Sequence, residues 1–217
     1  MIVALDGGVA SGKSAVGRRV ADALGLTFVD SGLMYRAITR LAAERSLDPH
    51  DADALSKLAR STRIRIDGER VWGDGTELTA GIYDTDFADA LPLVSATAGV
   101  REALVEQQRA LGEHGVVMAG RDIGTVVFPN ADHKFFLVAS LAEKVRRRAA
   151  QYERRGEHVD EEAMRKEVEM RDRVDSERAI APLRPADDAV VIDTDELTLD
   201  EVVDTILTDI GDTVGGG

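Results

Sequence analysis

Apolar residues along the chain follow two rhythms. Ile2-Val3-Ala4-Leu5 is apolar throughout, as a strand buried on both faces requires, and Ala15 to Leu24 repeats apolar positions at helical spacing with charged residues between. Leu26-Thr27-Phe28-Val29, after the helix stop Gly25, reads as a second short buried strand. A helix is expected from Leu33 to about Arg45, and Asp48-Pro49 supplies an N-cap and a first-turn proline for a third, to about Arg60. Strand, helix, strand, helix implies a parallel sheet.

From residue 63 the period changes to two. Arg63-Ile64-Arg65-Ile66 alternates, Asp67-Gly68 marks a hairpin turn, and Val71-Trp72 and Glu77-Leu78 follow with Gly73 and Gly75 between. Two or three short strands bury too little to stand alone, so this antiparallel insert is expected to pack as a flap on the main body. A helix begins at Arg101 and ends near Gly112. Val116–Ala119 and Lys134–Val138 read as buried strands, 141–155 as a long basic helix, Gly156-Glu157-His158 as a break, and Glu161–Arg173 as helix again. Ala189–Ile192 is the last strand, Leu199–Ile210 the last helix, and Gly215–Gly217 a frayed tail.

The 217 residues suffice for a single α/β domain around one core. With no cysteine there is neither a disulfide framework nor a thiolate metal site. No apolar run approaches the roughly 18 residues of a membrane span, and the first strand is entered without a basic and apolar leader, so the expected location is the cytoplasm, away from membranes. A net charge of −13 argues against a general nucleic-acid binder. The balance is uneven: 12 of the 27 basic residues lie between Lys144 and Arg184, whereas 187–217 holds 10 acidic residues and no basic one. A small, highly phosphorylated ligand fits the basic stretch, although 10 acids share it and solvated helix faces would give the same pattern. His50, His114, His133 and His158 show no metal-ligand spacing.

Between the first strand and the first helix stands Gly7-Gly8-Val9-Ala10-Ser11-Gly12-Lys13-Ser14. This spacing makes a loop whose backbone N–H groups surround phosphates, with Lys13 against the β/γ phosphates and the Ser14 hydroxyl on Mg²⁺; the following helix N-terminus adds partial positive charge. In an open parallel sheet, ligands sit beyond the carboxyl ends of the strands. Asp30-Ser31-Gly32 and Gly120-Arg121-Asp122 follow two further strands and should converge on the same place.

These loops, together with Asp30-Ser31-Gly32-Leu33-Met34-Tyr35-Arg36, Gly120-Arg121-Asp122-Ile123-Gly124-Thr125-Val126-Val127-Phe128-Pro129, and Arg171-Asp172-Arg173 through Asp175 to Arg178-Ala179-Ile180-Ala181-Pro182-Leu183, resemble the bacterial cytidylate kinases nearly end to end. The resemblance implies the P-loop nucleoside monophosphate kinase fold: one kinase domain over 1–217, with a five-stranded parallel sheet flanked by helices. It also implies a monophosphate-binding insert at about 31–98, whose antiparallel part matches the bacterial enzymes, and a lid at about 146–160. The implied reaction is Mg²⁺-dependent transfer of the ATP γ-phosphoryl group to CMP or dCMP, giving CDP or dCDP and ADP, by a monomer. Lys13, Arg121, Arg147, Arg148 and Arg178 carry the transfer, and Gly7, Gly8, Val9, Ala10, Ser11, Gly12, Lys13 and Ser14 hold the donor, with Ser14 on the metal. Ser31, Tyr35, Arg36, Arg101, Arg121, Asp122, Arg171, Asp175 and Arg178 hold the acceptor. Within that set Asp122 and Arg101 meet the base, and Asp175 with Arg171 meets the ribose.

Arginine suits these tasks, because its planar fork makes bidentate contacts with phosphate oxygens. Arg146, Arg147 and Arg148 point about 100° apart on a helix, so at most two face one phosphate cluster; Arg154 and Arg155 are expected in solvent. The alternatives are another small P-loop kinase acting on AMP, UMP or shikimate, and a nucleotide-dependent switch with no acceptor. Four positions depart from the family pattern: Gly8 stands where proline is common, Ala10 where glycine is, Ala119 where an acid often precedes Gly-Arg-Asp, and Pro92 at a serine linked with the base. At position 10 alanine is expected to need an ordinary backbone angle.

Overall fold

Strand β1 (Ile2–Gly7) is buried from Val3 onward, as its unbroken apolar run requires, and takes the middle of a five-stranded parallel sheet. The computed structural model describes residues 1–83, 89–154, 156 and 160–215. The sheet runs β2 (Thr27–Asp30), β6 (Val116–Gly120), β1, β7 (His133–Val138), β8 (Val190–Asp193). Its register aligns the carboxyl ends: Asp6 lies beside Gly120 and Phe136, and Asp30 beside Ala119. Three of the loops singled out in the sequence therefore leave one edge of the sheet together.

Helices cover both faces. On one, α1 (Lys13–Leu24) and α8 (Leu199–Gly215) pack Val16, Val20, Val202 and Ile206 against Val3, Leu5, Val117 and Phe135. On the other, Ala4, Val29 and Met118 meet Ile123, Val127 and Phe128, which follow β6 in a short π-helical turn, Ile123–Val127. A further core gathers α2 (Gly32–Glu44), α3 (Ala52–Ser61), α4 (Ala90–Ala96) and α5 (Ala98–Leu111). The antiparallel insert, β3 (Ile64–Asp67), β4 (Arg70–Gly73) and β5 (Thr76–Glu77), joins this core through Ile64 and Val71, with Leu78 just beyond β5, so the flap gains by packing what its own strands lack. Helices α6 (Leu141–Glu153) and α7 (Glu161–Glu177) form a hairpin around Val145, Met164 and Val168. Among the described residues no helix is long and apolar enough to cross a membrane.

Several boundaries differ from expectation. Helix α3 starts at Ala52, because the Asp51 carboxylate, and not that of Asp48, caps it by accepting from the Ala54 N–H at 2.9 Å. Helix α4 was not foreseen, and α5 begins three residues before Arg101. Pro92 sits in the first turn of α4, where its missing N–H leaves no intrahelical bond unmade. Helix α7 continues past Arg173 to Glu177, and α8 runs through Gly211 to Gly215. Of the expected break, Glu157 and His158 lie outside the described residues, as do Arg155 and the last two glycines.

Candidate functional site

A cavity of about 330 Å³ opens at the carboxyl ends of β1, β2 and β6, with the phosphate loop at one end and residues of α2, α5, α7 and the loop after β6 at the other. The loop end is built by one segment. Gly12, with φ +93°, turns the chain into α1 in a conformation suited to glycine. Lys13 is buried, its Nζ donating to the Gly8 carbonyl at 2.5 Å and to Ser11 Oγ at 3.1 Å. Burial, and then the charge of Arg121, hold this ammonium well below the usual lysine range, so an anion arriving beside it stabilises its charged form. Ala10 departs from expectation: its φ is +54°, so the left-handed angle usually left to glycine is taken by alanine with some backbone strain.

Ser14 Oγ donates to Asp30 Oδ2 at 2.7 Å. A hydroxyl and a carboxylate, both hard oxygen donors at the mouth of a phosphate loop, are a donor set that suits Mg²⁺, which keeps most of its waters and takes few protein ligands. Asp30 is thus a site residue that the motif contained but that sequence reading gave no role.

The far end is made of carboxylates clasped by arginines. Asp122 is buried between Arg101, which donates to Oδ2, and Arg178, which donates to Oδ1 at 3.5 Å. Arg101 also donates to the Ser95 carbonyl at 3.1 Å and lies over the Tyr35 ring, 5.4 Å from its centroid. Asp175 accepts from Arg121 Nε at 2.8 Å and pairs with Arg171 Nε at 3.6 Å. Burial alone would raise the Asp175 carboxyl, but Arg121 and Arg171 together hold it below the usual range. Burial lowers Arg171 and Arg178, and brings Arg36 down to about 10 where it lies over the Tyr83 ring at 4.8 Å. Tyr35, also buried, is pushed up to about 12. Ser31 Oγ donates to the Ala119 carbonyl at 2.8 Å, so position 119 serves this contact through its backbone.

The two ends meet at Asp6. It immediately precedes the phosphate loop, and its carboxylate accepts from the Ile123 and Gly124 N–H groups at 2.8 and 2.7 Å, directly after Arg121 and Asp122. Burial pushes this carboxyl up to about 6.

The cavity brings together Val9 through Ser14, Ser31, Tyr35, Arg36, Arg101, Arg121, Asp122, Arg148, Arg171, Asp175 and Arg178. Arg147 is not in its wall. It bonds Glu143 at 2.6 Å and the Thr194 hydroxyl and carbonyl at 2.9 and 2.6 Å, beside Gly12. Arg146 points to solvent, as the 100° steps require, and Arg148 faces the cavity while reaching Glu167 at 3.1 Å. Gly7 and Gly8 form the base of the loop. Sequence reading missed Tyr83, Gln151 and Ser95, which also line the cavity. Ser95 stands three residues past Pro92, one helical turn on, and that spacing was the available signal.

The family model described as cytidylate kinase matches residues 3–212. A cytidylate kinase of Desulforamulus reducens is 46% identical over 210 residues, covering 95% of this chain and 95% of that protein. A bifunctional pantoate ligase/cytidylate kinase of a Synechococcus species is 44% identical over 214 residues; the match covers 95% of this chain, which spans 40% of that protein's length. The crystal structure of a shikimate kinase from Bacteroides thetaiotaomicron shares the fold, with a TM-score of 0.53 at 13% identity over 97% of this chain and 98% of that one. Because the family match takes in both ends of the cavity, from the phosphate loop to Arg178, the chain belongs to the cytidylate kinase family.

Proposed function

We propose that this chain transfers the γ-phosphoryl group of ATP to CMP and dCMP, with Mg²⁺, and that the residues around the cavity carry the reaction. The observation that carries the reading is the buried Asp122 held between Arg101 and Arg178, opposite the phosphate loop. Cytosine offers an amino donor at N4 and acceptors at N3 and O2, which suit a carboxylate and a guanidinium side by side. Uracil reverses N3 and replaces the amino group by an acceptor, so the same carboxylate would face an oxygen. Asp175 and Arg171 meet the sugar; dCMP forgoes a contact at the 2′ position and keeps the rest.

Phosphoryl transfer asks a protein chiefly for in-line placement of two anions and neutralisation of the moving charge. Lys13 and the backbone N–H groups at the start of α1 hold the donor's β and γ phosphates. Arg36, Arg121 and Arg178 hold the acceptor phosphate, and Arg148, with Arg147 turning from Thr194, meets the γ group. Ser14 and Asp30 would hold Mg²⁺, which would supply neutralisation of the donor's charge. Residues 146–160 act as a lid that excludes water, 155 and 157–159 of them lying outside the described residues, and about 31–98 form the acceptor insert. Free nucleotides as substrates support a cytoplasmic location.

A coupled ADP-release assay over CMP, dCMP, UMP, AMP and shikimate tests this. CMP and dCMP should stimulate release strongly and UMP weakly; release that no monophosphate stimulates would leave a nucleotide-binding switch as the better reading.

A further inference from the structure

Helices α6 and α7 touch the phosphate loop through a contact that the transfer chemistry leaves unused. Asp172, on α7, accepts from the backbone N–H of Val9 at 2.9 Å through Oδ1. Its other oxygen, Oδ2, accepts from Lys144 Nζ of α6 at 2.5 Å. Both side chains are shielded, 22% and 16% exposed, and Val9 itself packs against the apolar centre of the hairpin. Gly8 leaves the space for this: a Cβ there would stand 2.7 Å from Asp172 Oδ1 and 3.0 Å from Lys144 Nζ.

Two things about the arrangement call for a role. Asp172 puts a negative group against a loop built to hold phosphates, where a lone carboxylate opposes binding by like-charge repulsion. Asp172 also follows Arg171 and precedes Asp175 by three positions, so one turn of α7 grips the donor loop on one side and lines the acceptor end of the cavity on another. We propose that Asp172 is a positioning residue that fixes the phosphate loop to α7 at a set distance from the acceptor, and that Lys144 is its counter-ion, cancelling the charge that the donor phosphates would otherwise meet. The proposal rests on the donor site assigned above and holds whatever the acceptor proves to be.

The two roles separate by variant. Lys144→Met leaves the carboxylate uncompensated and should weaken ATP binding about tenfold, as expected of one like-charge contact in a partly shielded site, with KM for CMP within about twofold of the parent. Lys144→Arg should restore it. The double variant Lys144→Met with Asp172→Asn should also restore it, because an amide oxygen still accepts from Val9 and no charge remains. Asp172→Ala frees the loop and should lower kcat about tenfold.

ATP affinity is measured by calorimetry without acceptor, kcat and both KM values by ADP release, and folding by thermal unfolding of each variant. A Lys144→Met protein that binds ATP like the parent, or a double variant whose losses add instead of cancelling, would overturn the proposal. Failure of CMP to stimulate the parent enzyme would instead count against the assigned acceptor and leave the calorimetric result standing.

Discussion

The two ends of the cavity are built by opposite means. At the phosphate-loop end, assigned above to the donor, eight consecutive residues build it largely with backbone: a strand ends, the chain turns, a helix begins, and Val9 through Ser14 line the cavity. At the acceptor end the groups are side chains drawn from α2, α5, the loop after β6, α7 and the residue just past it, and each buried carboxylate is already clasped by two guanidinium groups. A polyphosphate presents the same oxygens whatever base it carries, so uniform N–H donors suffice for it. A base and a sugar present donors and acceptors in a fixed order, which needs directional side chains. Those side chains are charged and buried, and an unpaired charge there would destabilise the fold severely. This end of the cavity is therefore already paired, and on the proposed reading acceptor binding would exchange partners rather than create them.

The comparison is broken most directly at Lys13. Lys13→Ala should lower kcat/KM about a thousandfold, the scale of losing one preorganised group that meets transition-state charge, while thermal unfolding stays near the parent. Near-normal turnover would move the donor site elsewhere.

Asp6 joins the two ends and should make its presence visible in stability. Its carboxyl rises from the ordinary 3.8 to about 6 in the folded protein, so between those values the folded state holds a proton that the unfolded state has lost. Stability should therefore fall as pH rises through that window and level off above it. The difference in unfolding free energy between parent and Asp6→Asn should shift by on the order of 2–3 kcal/mol from pH 3.5 to 6.5. A flat difference across that range would show that burial is not felt at this carboxyl.

Directionality at the acceptor end is sharpened by Asp122→Asn. Two opposed acceptors in a desolvated site cost about 1–3 kcal/mol, so the parent should prefer CMP over UMP by roughly 5- to 150-fold and the variant should lose most of that ratio. Measured kcat/KM values that leave the ratio intact would remove Asp122 from base reading. The smallest effect lies back in the donor loop. Ala10→Gly relieves about 1–2 kcal/mol of left-handed strain but adds unfolded-state freedom, for a net gain up to about 1 kcal/mol. Chemical denaturation that finds a loss would contradict the strain.

The strand, loop and helix at the phosphate-loop end were legible because they are contiguous: an apolar run, a glycine-rich turn and a helical pattern in order. The five parallel strands were legible for the same reason. What escaped depends on contacts between distant residues. Asp6 takes its partners from positions 123 and 124, and Asp30 its partner from Ser14 on the next element back. Three consecutive arginines fix their relative directions but not which one faces the cavity; Thr194, from the far end of the chain, draws Arg147 aside. Helix α4 was hidden because Pro92 reads as a breaker unless the helix is known to begin two residues earlier. The angle at Ala10 follows from the demand of the loop overriding the preference of its residue.

Among the described residues β8 stands at the border of the sheet with a strand neighbour on one side, and it leaves Val190 and Val191 39% and 54% exposed. Such a border is a template for adding a further strand from another molecule. Asp187, Asp193 and Asp195 bracket it, with Asp188 paired to Lys134 at 2.7 Å, within a C-terminal stretch that carries no basic residue, and two such borders brought together would press like charges against each other. Acidity at such a border opposes edge-to-edge pairing of two copies, and salt that screens the carboxylates would weaken that opposition.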